Sequence, residues 1–435
     1  MNKKFEILVF TLNLFCILFL VINYANNLSP FEDEITSLIS GINYLTKLNF
    51  DASPMIIGNF SPYLTSGPIS SFGSSIGWLA TKSFFYARFF NFVYLSLISI
   101  FLVNLLKKDI LNNIYLLFTI TLSSLVLVPW WFGSLYSLGE MFSSVLFVFS
   151  VFLIKENKNL ALFLMGISVI FTKLLQLLVV IPFLIVYVLV KKDFSKVNLI
   201  FFLIPFFIYF TFVLLKNNEY TIIEYLKFYF NYIIGHQSSG LDSLSFLNVA
   251  NIQSTILNSE FKDWSLVTKL RLLLSPLILI FTLIFEQKKF NYDLRNLCLP
   301  LISSIVPIYL WFWLISDTKW IRYSQHFLYI VIFTQIYILL TNKKISLIGF
   351  SATIFSLSLF FTNIYVLFSS IFFMLYFRNK NLVPIILSIL FLFNSVSLLY
   401  ESQNLPNSNL DFESCRNAID SLDCISDYLP YKTNN

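Results

Sequence analysis

Long apolar runs recur along almost the whole chain, and no other feature limits its possible folds as strongly. A helix that crosses a bilayer needs about 20 consecutive, mostly apolar residues. Such runs cover about 5–24, 87–106, 111–129, 141–154, 159–172, 174–190, 197–215, 271–285, 296–316, 322–340, 345–360, 363–377 and 382–400. Read by length, they make about thirteen spans. Of the 435 residues, 57% are apolar and 12% are charged, against about 25% charged in soluble domains. A water-soluble enzyme and a disordered regulator are therefore excluded. The net charge of +6 does not point to a nucleic-acid partner, because the basic residues fall in short loops between spans. The expected fold class is all-α: a polytopic protein embedded in a lipid bilayer.

The charges predict its orientation. Lys3 and Lys4 precede the first run, which lacks a small-residue cleavage site and reads as a retained anchor with a cytoplasmic start. Counting spans from there puts Lys107, Lys108, Lys155, Lys158, Lys191, Lys192, Lys196, Lys288, Lys289, Arg295, Lys343, Lys344, Arg378 and Lys380 on the cytoplasmic side. Glu32, Asp33, Glu34, Asp51, Glu140, Asp242, Asp263 and Asp317 fall on the other side. This alternation is what the positive-inside rule demands. Residues 1–400 form the expected membrane domain, with outer segments at about 26–86 and 216–270, and 401–435 form a short outer tail. A bacterial inner membrane with a periplasmic outer face fits this arrangement. All seven Trp fall on or near the predicted outer face.

Cys415 and Cys424 lie in the outer tail, where an oxidising compartment would let them close a small disulfide loop. Cys16 and Cys298 read as small core residues within spans. No Cys/His cluster has metal-ligand spacing, no P-loop is present, and His236 and His326 are far apart.

The richest stretch is Ser29-Pro30-Phe31-Glu32-Asp33-Glu34-Ile35, just beyond the first span. Ser29 and Glu32 have capping-box spacing, and Pro30 suits the first helical position. Ile35, Leu38, Ile39, Ile42 and Leu45 follow at helical intervals, which predicts an amphipathic helix lying along the outer surface. Acids in a first turn complement the helix dipole, and that accounts for one carboxylate well and for three only loosely. A carboxylate above a membrane-embedded cavity is also a sound general base. The carboxylate oxygens of Glu32-Asp33-Glu34 would alternatively suit a divalent ion. Base catalysis is the reading adopted, with no cofactor assigned.

An Asp-Glu pair outside the first span, followed by a juxtamembrane helix, resembles the GT-C glycosyltransferases. The resemblance is to the branch of the protein O-mannosyltransferases and the lipid A aminoarabinose transferase. Ala87-Arg88-Phe89 at the second span, the stretch from Gly166 to Lys173 that ends in Thr-Lys, and Trp320-Ile321-Arg322-Tyr323 at a late span are similar to motifs of that branch, in the same order. The match is good over about 1–190 and moderate near 311–340. Two places depart from the pattern: Ile35-Thr36-Ser37 stands where aromatic residues often follow, and Ser324-Gln325-His326 where a Pro is frequent.

The resemblance implies a GT-C-like fold and an inverting hexosyl or pentosyl transfer. The sugar would move from a polyprenyl-phosphate donor to a lipid, glycan or protein acceptor at the outer face. Asp33 would be the base and Glu34 its support. Arg88, Lys173, Lys319 and Arg322 would hold the donor phosphate, unless they merely snorkel at span ends. Apart from the resemblance, His236 in the outer segment Gly235–Gly240 could contact an acceptor or a metal, or simply be solvated in its loop; Tyr323 is a candidate for acceptor contact, and Glu140 is left undecided. A lipid-linked glycan transporter would show internal repeats and charges at the centres of its spans. A polysaccharide polymerase or ligase would carry its Arg and His in a large late outer loop.

Overall fold

The computed structural model describes residues 3–27, 32–48, 67–110, 114–127, 131–190, 196–216, 266–316, 321–341, 345–361 and 383–402, with isolated positions between 221 and 227. All regular structure among them is helical. The helices are α1 Lys3–Asn27, α2 Glu32–Lys47, α3 Phe72–Thr81, α4 Phe84–Ile110, α5 Ile114–Ser124, α6 Glu140–Leu153 and α7 Lys158–Ile167. They continue with α8 Leu177–Val190, α9 Lys196–Lys216, α10 Leu266–Phe285, α11 Tyr292–Leu310, α12 Gln325–Thr341, α13 Leu347–Ser358 and α14 Val383–Ser402. Six helical stretches, in α1, α4, α10, α11, α12 and α14, are long and apolar enough to cross a membrane unaided. The other apolar runs coincide with shorter helices, except 363–377, which lies outside the described residues. The protein is an all-α integral membrane protein.

Two helices form the centre. Every residue of α6 is buried, as is α12 from Gln325 to Leu339. Phe149 and Phe152 of α6 meet Phe333 and Tyr337 of α12, with ring centroids 4.9 Å apart for Phe149–Phe333 and 4.4 Å for Phe152–Tyr337. A helix buried all round shows no polar face, which is why both read as featureless apolar runs. Around this pair, α7 packs on α6 and α9, α8 on α11, and α10 on α13. On the other side α1 packs against α4, α5 and α14. Asn13 of α1 ties that group together inside the bundle: its Oδ1 accepts from Ser123 at 3.1 Å and Ser395 at 3.0 Å. Cross-helix polar contacts of this kind hold membrane bundles where the hydrophobic effect contributes little.

The bundle has two distinct polar ends. At one, Lys155 pairs with Asp293 at 3.0 Å, and Glu286 accepts from the Ser346 backbone N–H at 3.0 Å and pairs with Lys289 at 3.1 Å. Burial pushes the Glu286 carboxyl up, but the Ser346 hydrogen bonds and Lys289 outweigh it and leave its pKa lowered. Asn157, Asn291 and Ser346 cap α7, α11 and α13 at this end. These are turns that the charge pattern assigns to the cytoplasm. The opposite end holds the candidate site.

The sequence predicts α2 as an amphipathic helix lying along the outer surface and gives no sign of α3. In the structure α2 lies against the bundle through Glu34, Ser37, Leu38, Ser40 and Gly41, all buried, while Leu45 is exposed. A Cβ on Gly41 would stand 3.0 Å from Ser71 Cβ, and Ser75 Oγ donates to Leu38 O at 3.2 Å. α3 in turn packs on α4 through Gly73 and Gly77, where a Cβ on Gly73 would come within 2.7 Å of Tyr94. Small residues four apart let backbones approach closely in membranes. The buried face of α2 thus includes small and polar residues beside Leu38.

Candidate active site

The second polar end is assembled from helix termini. Residues 67–71, which include a short 3₁₀ turn Pro68–Ser71, lead into α3 and link α2 to the middle of the bundle. Gly67 N–H donates to Thr172 O at 2.6 Å. Gly139, the residue before α6, sits with φ +89°, and its Cα edge faces the same carbonyl. Glu140 is thus held beside Lys173. The left-handed conformation costs a residue with a Cβ about 1–2 kcal/mol, and an alanine Cβ would stand 2.6 Å from Thr172 O. We expect Gly139→Ala to lower stability by at least about 2 kcal/mol, measured by denaturant unfolding in detergent; unchanged stability would refute this account of the junction.

The cation-bearing hairpins share one local design. α7 runs into a π turn at Ser168–Thr172, Lys173 is extended (φ −146°, ψ 117°), and a 3₁₀ turn Leu174–Gln176 leads into α8. α11 likewise runs into a π turn at Trp311–Ile315, Ser316 is extended, and a 3₁₀ turn Ile321–Ser324 leads into α12. π turns widen a helix and are frequent at functional sites. Lys173 directly follows the first π turn, and Arg322 lies in the second 3₁₀ turn.

Both cations reach Glu140. Lys173 Nζ lies 3.1 Å and Arg322 Nε 3.7 Å from Glu140 Oε1, and the three side chains are buried or nearly so. Lys173 also donates to Leu138 O at 3.3 Å. Neither Glu140 oxygen has a hydrogen bond of good geometry, so charge alone holds the carboxylate. Among the described residues, two cations around one anion leave this cluster with a formal charge of +1. Snorkelling would carry the charged heads toward water; both instead point at a buried acid.

A second ion pair lies beside the first. Arg88 Nε and Nη2 donate to the two Glu34 oxygens, each at 2.7 Å, and Nη1 donates to Ala25 O at 3.2 Å. The guanidinium is fully buried and stacks over Tyr136, 5.0 Å from the ring centroid. This bidentate pair fixes the first turn of α2 to the start of α4. Four residues after Tyr136 comes Glu140, so the segment 131–139 joins the two pairs. Asn91 of α4 fastens this segment, donating to Ser134 O at 3.3 Å and Leu135 O at 3.2 Å.

The structure thus brings Glu34, Arg88, Lys173 and Arg322 to one end of the bundle. Asp33 lies in the first turn of α2, and its side chain is outside the described residues. So are Lys319, His236, Cys415 and Cys424. Tyr323 is buried, with its ring 5.5 Å from Trp311 in an edge-on contact and beneath the Arg322 guanidinium. Two residues gain weight that sequence reading did not give them. Glu140 is the centre of the cation cluster, and the signal for it was a lone acid after Gly139 at the start of an apolar run. Arg271 of α10 is buried, donates Nε to Leu359 O at 2.5 Å, and leaves Nη1 without a hydrogen bond; its position at the start of a run hid it. Among the described residues no group of three or more His, Cys, Asp or Glu could hold a metal ion.

No protein-family model and no curated protein sequence matches the chain. Solved structures do. ArnT from Cupriavidus metallidurans bound to undecaprenyl phosphate aligns with a TM-score of 0.53 at 11% identity. The apo state of the same protein aligns with a TM-score of 0.50 at 10% identity. Each alignment covers 93% of this chain and 78% of the ArnT chain. ArnT, a lipid A aminoarabinose transferase, is a GT-C enzyme. What is shared at this identity is the fold.

Proposed function

Starting from the fold that this chain shares with ArnT, we propose that it is a membrane glycosyltransferase. In this reading it moves a sugar from a polyprenyl-phosphate donor to an acceptor at the outer face of the membrane. The observation that carries the reading is the convergence of Lys173 and Arg322 on buried Glu140, beside the Glu34–Arg88 pair that seats the first turn of α2. The ArnT structure holds undecaprenyl phosphate, a ligand of the class that a buried cluster of net charge +1 would attract.

The chemistry follows from charge. A polyprenyl-phosphate sugar is a phosphodiester with one negative charge. The acceptor hydroxyl oxygen attacks the anomeric carbon, the bond from that carbon to the phosphate oxygen breaks, and the leaving polyprenyl phosphate gains a second negative charge. Lys173 and Arg322 stabilise that growing charge in a water-poor setting, where fixed cations act most strongly. Asp33 takes the acceptor proton. One displacement of this kind inverts the anomeric configuration. Arg88 is already bidentate to Glu34, so in this mechanism it positions α2 and leaves phosphate contact to Lys173 and Arg322, with Lys319 as a third candidate from the motif resemblance. His236 and Tyr323 are candidates for acceptor contact.

The test is binding of undecaprenyl phosphate to the protein in nanodiscs. Arg322→Lys keeps the charge and loses the planar fork. A hydrogen bond to a charged group contributes about 1.5–3 kcal/mol, so affinity should fall about 10-fold or more. Equal affinity of Arg322→Lys and the wild type would remove Arg322 from the phosphate site. Wild-type protein that does not bind the lipid would refute the function.

A further inference from the structure

One turn deeper in the bundle than the cations lies a polar pair that phosphate recognition leaves unused. Gln176 follows Lys173 by three residues along the 3₁₀ turn, and His326 follows Arg322 by four into α12. Both side chains are fully buried. His326 Nδ1 hydrogen-bonds Gln176 Oε1. Ser143 Oγ stands 3.4 Å from Gln176 Oε1 and 3.5 Å from His326 Nδ1, and it donates to Glu140 O at 2.9 Å. Yet Gln176 Nε2 and His326 Nε2 have no hydrogen-bond partner. A buried polar atom left unpaired costs about 1–3 kcal/mol, and each of these two atoms would gain from a polar guest.

The chemistry of the pair selects the guest. With its proton on Nδ1, His326 presents a lone pair at Nε2, while Gln176 presents two N–H donors. Turning the amide over exchanges the roles and still leaves one donor and one acceptor. Phosphate and carboxylate oxygens only accept, and an ammonium only donates. A hydroxyl does both. Resting on the function proposed above, we infer that Gln176 and His326 form the sugar subsite, which binds hydroxyl groups of the transferred sugar. The sugar is bonded directly to the phosphate, so phosphate on Lys173 and Arg322 would put its first ring within about one turn of chain, roughly 5–6 Å, of the pair. A protonated amine only donates, so the donor–acceptor pair suits a neutral, hydroxyl-rich ring. His326 also lies in the Ser324-Gln325-His326 segment, where the chain departs from the motif pattern of the resembling family.

The experiment compares wild type, Gln176→Leu and His326→Leu in nanodiscs. The probes are the methyl phosphodiester of undecaprenol, a sugar-free bare carrier with the same single negative charge, and the mannosyl, glucosyl, galactosyl and 4-amino-4-deoxyarabinosyl forms of undecaprenyl phosphate. In wild type, at least one neutral sugar should tighten binding by about 10-fold over the bare carrier, and the amino sugar should not. Both variants should lose most of that gain and bind bare carrier within about two-fold of wild type. Each single change strands its partner's buried polar atom and lowers stability, so unchanged bare-carrier binding is needed to report a folded site. Variants that lose bare and sugar-bearing lipid equally would give the pair a structural role only. A wild type with no gain from any sugar, or variants that keep the full gain, would overturn the subsite. A wild type that binds neither bare nor sugar-bearing lipid would overturn the glycosyltransferase reading itself.

Discussion

Asp33→Asn should lower sugar transfer by about 10²–10⁴-fold, the range for losing a positioned general base, while the protein stays folded. Asparagine keeps the shape and hydrogen-bonding capacity of the side chain but accepts no proton. The first turn of α2 is held mainly by Glu34 on Arg88, and losing one acid's dipole interaction costs less than about 1 kcal/mol. Transfer of radiolabelled sugar in proteoliposomes, read beside thermal unfolding, separates the two effects. Glu32→Gln serves as the control, because glutamine can still close a capping box and transfer should stay near normal. Intact transfer in Asp33→Asn would remove the base from the mechanism.

The largest stability effect belongs to Arg88. Arg88→Leu strands the Glu34 carboxylate in a buried setting, and breaking such a pair costs about 3–5 kcal/mol. The double change Arg88→Leu with Glu34→Leu should recover most of that loss, since no charge is then buried alone. Transfer should not recover with it, because α2 has lost the bidentate contact that sets the position of Asp33. Restored stability with restored transfer would show that the ion pair has no positioning role.

The sequence disclosed the fold through apolar length, which only a bilayer demands. It disclosed Lys173 and Arg322 because a charge that interrupts an apolar run is costly enough to be informative. Glu140 was harder to assign, since an acid at the start of a helix has an ordinary capping explanation. His326 stood far in sequence from every partner, and its contact with Gln176 spans 150 positions. The packing of α2 and the existence of α3 escaped for a different reason. Hydrophobic periodicity finds a buried face in water, whereas Ser37, Gly41, Gly73 and Gly77 bury because they are small. Arg271 was read as the edge of a span, and burial alone distinguishes it.

The distribution of the site along the chain also has a consequence in time. Ser143 and His326 meet across 183 positions, and ribosomes add about 5–20 residues per second. About 10–40 s therefore separate the synthesis of the Glu140 half of the site from that of the Arg322 half. Glu140 enters the membrane region long before its second cation exists. Lys173 follows it by one hairpin, so the buried acid has a local counter-charge while α9, α10 and α11 are still being made. The growing protein carries the Glu140–Lys173 pair through insertion, and Arg322 joins it only when α12 arrives.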